Sequence, residues 1–170
     1  MSVDVTIPPA ANTDDNHHVW WVDTIADPAA PTVDEINAGT VIGCYLTVDG
    51  FNLTVTEAAV VDERLCSSQT YQGKGRTTYA LTVKYVENPA VPASDEAATT
   101  LVPGSTGYFV ERRGYASDLA VAADQLVNVI PAELGEYQPQ PREANSKFKI
   151  LQNAFVNGPV HIRAEVASGA

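Results

Sequence analysis

Apolar and polar positions alternate along much of this chain with a spacing of two, the signature of strands with one buried face. Near the C-terminus Val160, Ile162, Ala164 and Val166 oppose His161, Arg163 and Glu165, after a Gly158-Pro159 turn. Tyr79, Leu81, Val83 and Tyr85 share one face of a second run over Tyr79–Glu87. Residues 41–49 set Ile42, Cys44, Leu46 and Val48 against Gly43, Tyr45, Thr47 and Asp49. Asp49-Gly50 then reads as a turn and Leu53–Val61 as the returning strand, which predicts a hairpin over 41–61. Thr106–Arg113, Leu126–Tyr137 and Lys147–Val156 are further strand candidates.

Two stretches read as short helices. Thr32-Val33-Asp34-Glu35 has capping-box spacing, predicting a helix Val33–Ala38 that ends on a left-handed Gly39. Ser94 is the candidate N-cap of a helix over Asp95–Val102, with acids at its positive end and Pro103-Gly104 to stop it. The predicted fold is therefore mainly β: an antiparallel β-sandwich or barrel of about seven strands with one or two short helices.

The organisation expected is an extended arm over residues 1–19, polar, acidic and Pro-containing, followed by a single domain over 20–170. Residues 67–78 have no apolar periodicity and contain two glycines, so a long mobile loop is expected there. The apolar runs are far too short to span a bilayer. The N-terminus has no basic residue and no apolar core of signal-peptide length, pointing to a soluble protein not exported by a standard signal.

Charge changes the picture more than composition does. The net charge is −11, and the first 63 residues hold eleven acids and no base, whereas from Arg64 onward ten acids meet ten bases. The excess is either ordinary solubility charge or a functional acidic surface. Without a basic patch to neutralise phosphates, tight DNA binding is excluded.

No chemistry-bearing constellation emerges. His17-His18 has only His161 as a further histidine, so a metal site is not expected and both are read as solvated. Gly104-Ser105-Thr106-Gly107 is not a nucleophile elbow, and no Ser-His-Asp order stands out. Gly73-Lys74-Gly75-Arg76 lacks phosphate-loop spacing; it is either a flexible basic loop tip or a contact for an acidic partner. Cys44 and Cys66 read as two buried thiols rather than a disulfide framework. Trp20-Trp21 either anchors an interface or is half-buried in the monomer. No catalytic residue, cofactor or metal ligand is expected, and the protein reads as a non-enzyme.

Several stretches resemble the major tail-tube proteins of long-tailed, siphovirus-type phages of actinobacteria. They include Trp21-Val22-Asp23-Thr24-Ile25-Ala26-Asp27-Pro28-Ala29-Ala30-Pro31-Thr32 and its continuation to Thr40. Cys44-Tyr45-Leu46-Thr47-Val48-Asp49-Gly50-Phe51, Asp62 to Thr70, Gly104 to Gly114, and Pro141 to Ile150 belong to the same resemblance. It runs from about residue 20 to residue 166 and leaves the N-terminal arm unmatched.

The resemblance implies a virion tail protein, assembled in the host bacterial cytoplasm. Its partners would be further copies of itself, in hexameric rings stacked into a tube, and the tape-measure, tail-terminator and distal-tail proteins. DNA would pass through the lumen without specific binding, and no membrane is involved. On this reading Asp49 and Glu57, on the expected hairpin, are candidate lumen acids; Arg64, Lys74, Arg76, Trp20 and Trp21 are candidate contacts between rings. A non-catalytic β-sandwich binding module, such as a capsid decoration or tail-tip adhesin, is the alternative.

Overall fold

The computed structural model describes residues 8–169. In chain order its elements are β1 (His17–Val22), α1 (Val33–Ala38), β2 (Thr40–Val41), β3 (Leu46–Asp62), β4 (Tyr71–Val86), α2 (Glu96–Thr100), β5 (Thr106–Arg113), β6 (Leu126–Leu134), β7 (Gln138–Pro139), β8 (Lys149–Val156) and β9 (His161–Glu165). The strands pair antiparallel. The fold is thus mainly antiparallel β with two short helices, consistent with the expected sandwich class.

The chain forms two compact units. The first takes the chain up to Cys44, Gly107–Ile130 and the chain from Val160 onward. Its strand order is β2-β1-β5-β6, with β9 also on β6. Trp20, Val22, Ile25, Ile36, Val110, Val127, Val129, Ala164 and Val166 close its core. The capping box at α1 forms as predicted: the Thr32 hydroxyl accepts from the Glu35 amide at 3.2 Å, and the Glu35 carboxylate accepts from the Thr32 amide at 2.8 Å. That carboxylate also takes the Ala26 amide at 2.7 Å, tying the preceding turn to the helix. Gly39 is not left-handed, at φ −75°. Space requires the glycine, because a Cβ there would lie 2.6 Å from Val22 Cγ2 and 2.7 Å from the Trp21 carbonyl.

The second unit takes Tyr45–Thr106 and Pro131–Pro159. Its strand order is β6-β8-β4-β3, with β7 also on β8. Leu81, Val83 and Tyr85 of β4 pack inward with Leu134, Ile150, Ala154 and Leu101. Gln152, fully buried, accepts from the Tyr85 hydroxyl and donates to the Leu101 and Gly135 carbonyls, so its amide is satisfied.

Several elements differ from the expected ones. Residues 41–49 are not one strand: β2 is followed by a 3₁₀ turn over Gly43–Tyr45, and β3 starts at Leu46. Asp49-Gly50 makes no turn, because β3 continues through it opposite β4 with a register shift between Leu46 and Phe51. Gly50 is needed for close approach, since a Cβ would lie 2.2 Å from the Lys84 carbonyl. The hairpin is therefore β3–β4, and only Glu63–Thr70 lies outside its strands. Tyr71–Thr78, expected as loop, is strand, so Lys74 and Arg76 lie along a strand and not at a loop tip. Sequence periodicity missed it because Tyr71–Thr78 has no buried residue on either face, and a strand without a core face has no reason to alternate.

α2 is shorter than expected; Asp95 is its cap residue, and Ser94 belongs to a 3₁₀ turn over Pro92–Ser94. Of the expected N-terminal arm, residues 1–7 lie outside the described residues. His17, His18 and Val19 belong to β1. Just before them, the Asp15 and Asn16 carbonyls accept from the Ser117 and Gly114 amides at 2.8 Å.

Candidate assembly surfaces

The β3–β4 hairpin carries most of the sequence-predicted site residues. Beyond Thr54 its β3 strand is continuously exposed, with Val55, Val60 and Val61 about half or more in solvent and Tyr71 across from them on β4. This distal half is an arm of roughly 25 Å, at about 3.3 Å per residue. Its register slips once: Glu57 opposes Thr77 and Ala59 opposes Lys74, so Gly75 and Arg76 share the place across from Ala58. Such a bulge bends the strand and re-aims a side chain, here that of Arg76.

Four of the candidate charges are ion-paired, and one pair, Glu57 with Lys74, joins a candidate lumen acid to a candidate ring contact. Asp49 is ion-paired with Lys84 and accepts from the Thr47 hydroxyl; the Lys84 hydrogen bond and then the Thr47 one pull its pKa down to about 2. Glu57 is ion-paired with Lys74, whose pKa it raises. Arg64 grips Asp62 through two nitrogens at 3.0–3.1 Å. All three pairs are largely solvent-exposed and contribute little to stability. On the same face as Lys84, the register sets Asn52 beside Thr82 and Asn153, and Thr56 beside Thr78. Asn52, Thr82 and Asn153 make that part of the face polar, with Leu151 beside Lys84 and exposed Phe155 further along β8 on the same side; Glu57 and Lys74, which oppose Thr77 and Ala59, lie on the other face.

Trp20 and Trp21 are buried within the first unit. They are 5% and 2% exposed, in β1 of the first unit. Trp21 donates to Asp23 Oδ1 at 3.1 Å and meets Phe109 edge-on at 4.8 Å. Cys44 and Cys66 are exposed free thiols, not buried ones, because one follows the turn out of β2 and the other sits at the hairpin tip. Of the two histidines read as solvated, His18 is buried; burial first, then the charges of Arg112 and His17, lower its pKa.

Two polar clusters in the first unit escaped the sequence reading. Arg112 is fully buried, with its guanidinium donating to the Ala116, Leu119 and Ala120 carbonyls and to Gln125 Oε1 at 2.7–3.3 Å. It lies 5.2 Å from the Trp20 ring and 5.8 Å from that of Tyr115, and among the described residues no carboxylate pairs with it. Its role is to hold the β5–β6 connection. Glu111, also buried, accepts from His17 Nε2 at 2.9 Å and from the Asn128 amide at 2.7 Å. Burial raises its pKa, but those two hydrogen bonds and the charges of His17 and Arg113 outweigh it and hold the carboxyl below its ordinary range. The available signal was three consecutive charges, Glu111-Arg112-Arg113, directly after buried Phe109-Val110 in a strand: alternation must turn at least one inward.

Among the described residues no group of three or more His, Cys, Asp or Glu is placed to hold a metal ion, and no helix is long and apolar enough to cross a membrane. No curated protein matches this sequence. A solved chain from the anti-feeding prophage baseplate, determined by cryo-EM with six-fold symmetry applied, has a similar fold: TM-score 0.53 at 10% identity, covering 90% of this chain and 95% of that one. The family model described as phage tail tube protein matches residues 5–169. The match spans nearly the whole chain, and the chain belongs to the phage tail tube protein family.

Proposed function

We propose that this protein is the tube-forming subunit of a siphovirus-type phage tail, as a hexameric ring that stacks on further rings around a lumen through which DNA reaches the host. The observation that carries this is the family match across residues 5–169. Supporting it, β3 ends the strand order of its unit and offers a second edge along its length to another chain. A long open edge is an assembly or aggregation hazard unless it is paired, and closure into a barrel removes it. The six-fold symmetry of the baseplate with the similar fold supports six copies per ring.

On this reading the Asn/Thr face of β3, β4 and β8 lines the lumen. Asp49 would sit at that wall with Lys84 beside it, hydrating it without adding much net charge, whereas Glu57 and its partner Lys74 lie on the opposite face of the hairpin. DNA then slides past groups with no unmatched cation to exchange for its counterions. The protein performs no catalysis; tape-measure, terminator and distal-tail proteins cap and gauge the tube, and assembly takes place in the host cytoplasm.

Sedimentation of the purified protein across a concentration series tests the proposal. A sharp onset of large polymer is expected. A binding module of the decoration type would remain a discrete species at every concentration, and that result would remove the tube assignment.

A further inference from the structure

The second unit has a cavity of about 480 Å³ lined by Tyr45, Glu87, Asp95, Ser146, Lys147 and Phe148, among others. Asp95 is its unusual member. The residue is 6% exposed, yet its side chain does not cap α2, and among the described residues it takes part in no ion pair and accepts no side-chain hydrogen bond. Two phenols lie near enough to feel its charge, but both donate elsewhere: Tyr85 to Gln152 and Tyr137 to the Ala98 carbonyl. Lys147, on the same wall, makes no ion pair with it either. The residue is buried, but its carboxylate oxygens are not sealed from solvent, so the charge opens into the cavity and offers an acid without a partner to a cation that enters there. Phe148, 61% exposed, adds an apolar rim.

The complementary shape is present on the same chain. The arm beyond Thr54 is exposed on both faces and carries Val60, Val61 and Tyr71, each more than half in solvent. Its bases differ in availability: Arg64 is held by Asp62 and Lys74 by Glu57, whereas Arg76, exposed at the bulge, has no acid of its own. An arm with apolar side chains and one unmatched guanidinium fits a cavity with an apolar rim and one unmatched carboxylate.

We propose that the cavity at Asp95 receives the β3–β4 arm of a second copy of this chain, with Arg76 of that copy paired to Asp95. The pairing rests on the tube reading and names a donor and an acceptor for one contact between subunits. It makes Arg76 the base that matters, because its two neighbours are already engaged.

The test begins from a Cys44→Ser, Cys66→Ser chain, both positions being exposed. Chains with Arg76→Cys and chains with Asp95→Cys are mixed, polymerised and treated with a bis-maleimide, and linked peptides are identified by mass spectrometry. A 76-to-95 link between the two species is expected. In parallel, Asp95→Asn, nearly isosteric, and Arg76→Gln are each expected to raise the critical concentration for polymer at least tenfold, as loss of one partner of a desolvated pair does. Combining Arg76→Asp with Asp95→Arg should recover part of that loss. Polymers that form without a 76-to-95 link, or at the wild-type critical concentration in Asp95→Asn, overturn the pairing and leave the tube reading standing. Failure of the unmodified protein to polymerise removes both.

Discussion

Replacing Arg112 by methionine isolates the contribution of a buried cation without a counter-acid. Methionine keeps the unbranched stem and removes the donors to Ala116, Leu119, Ala120 and Gln125. Ala120 retains a bond from the Gln125 amide at 3.3 Å, so the main loss falls on the Leu119 and Ala116 carbonyls, bonded at 2.7 and 3.0 Å. Hydrogen bonds from a charged group contribute about 1.5–3 kcal/mol each, giving about 3–6 kcal/mol for the two. Removing a desolvated guanidinium that has no counter-acid returns about 1–2 kcal/mol of that, as replacement of buried ions by apolar groups does. The expected net loss is about 3 kcal/mol. For a chain of this length that lowers Tm by roughly 6–12 °C. The assay is thermal unfolding of unassembled protein followed by tryptophan fluorescence, with hydrogen exchange of residues 114–125 as the local readout. Trp20 is a built-in probe at 5.2 Å from the guanidinium. A Tm within about 2 °C of wild type, or above it, would show that desolvation cancels the hydrogen bonds and that Arg112 does not hold the connection.

Three further outcomes follow from the geometry. Glu111→Gln should cost about 1–2 kcal/mol at neutral pH; because the folded carboxyl has a lowered pKa, its contribution is present above the ordinary value of 4.5 and fades as pH falls through the folded one, so the two unfolding curves should converge in acid. A difference that persists unchanged at low pH would contradict that. Glu35→Ala should cost about 1 kcal/mol and raise hydrogen exchange over 26–38, since three donors lose their acceptor. Asp49→Lys substitution places unmatched positive charge, beside Lys84, on the proposed lumen face; tubes should still form but eject DNA more slowly, and an unchanged ejection rate would count against that face lining the lumen.

What could be read from sequence depended on whether an element had a core to face. Thr106–Arg113 and the α1 capping box were legible because one rests on alternation against a buried face and the other on side chains bonding their own backbone. Tyr71–Thr78 was not, because both its faces meet solvent and its strand identity comes from pairing with β3. Gly39 and Gly50 misled for a related reason: sequence suggests turn chemistry, whereas both glycines answer close approach of another backbone. The candidate contacts divided the same way. Exposed bases on the hairpin are visible as charges, but Arg76 separates from Lys74 and Arg64 only once their partners are placed. Trp20 and Trp21 had two open readings, and nothing in their residue type announces the near-complete burial they have in the first unit.

The central claim is assembly around a channel, and a cryo-EM map of the concentrated, unmodified protein tests it most directly. The account predicts stacked six-fold rings enclosing a continuous lumen, with Asn52, Thr82 and Asn153 on its wall and the β3 edge paired to a neighbouring subunit. Discrete unassembled particles at all concentrations, or tubes whose wall is built from the first unit alone, would contradict it.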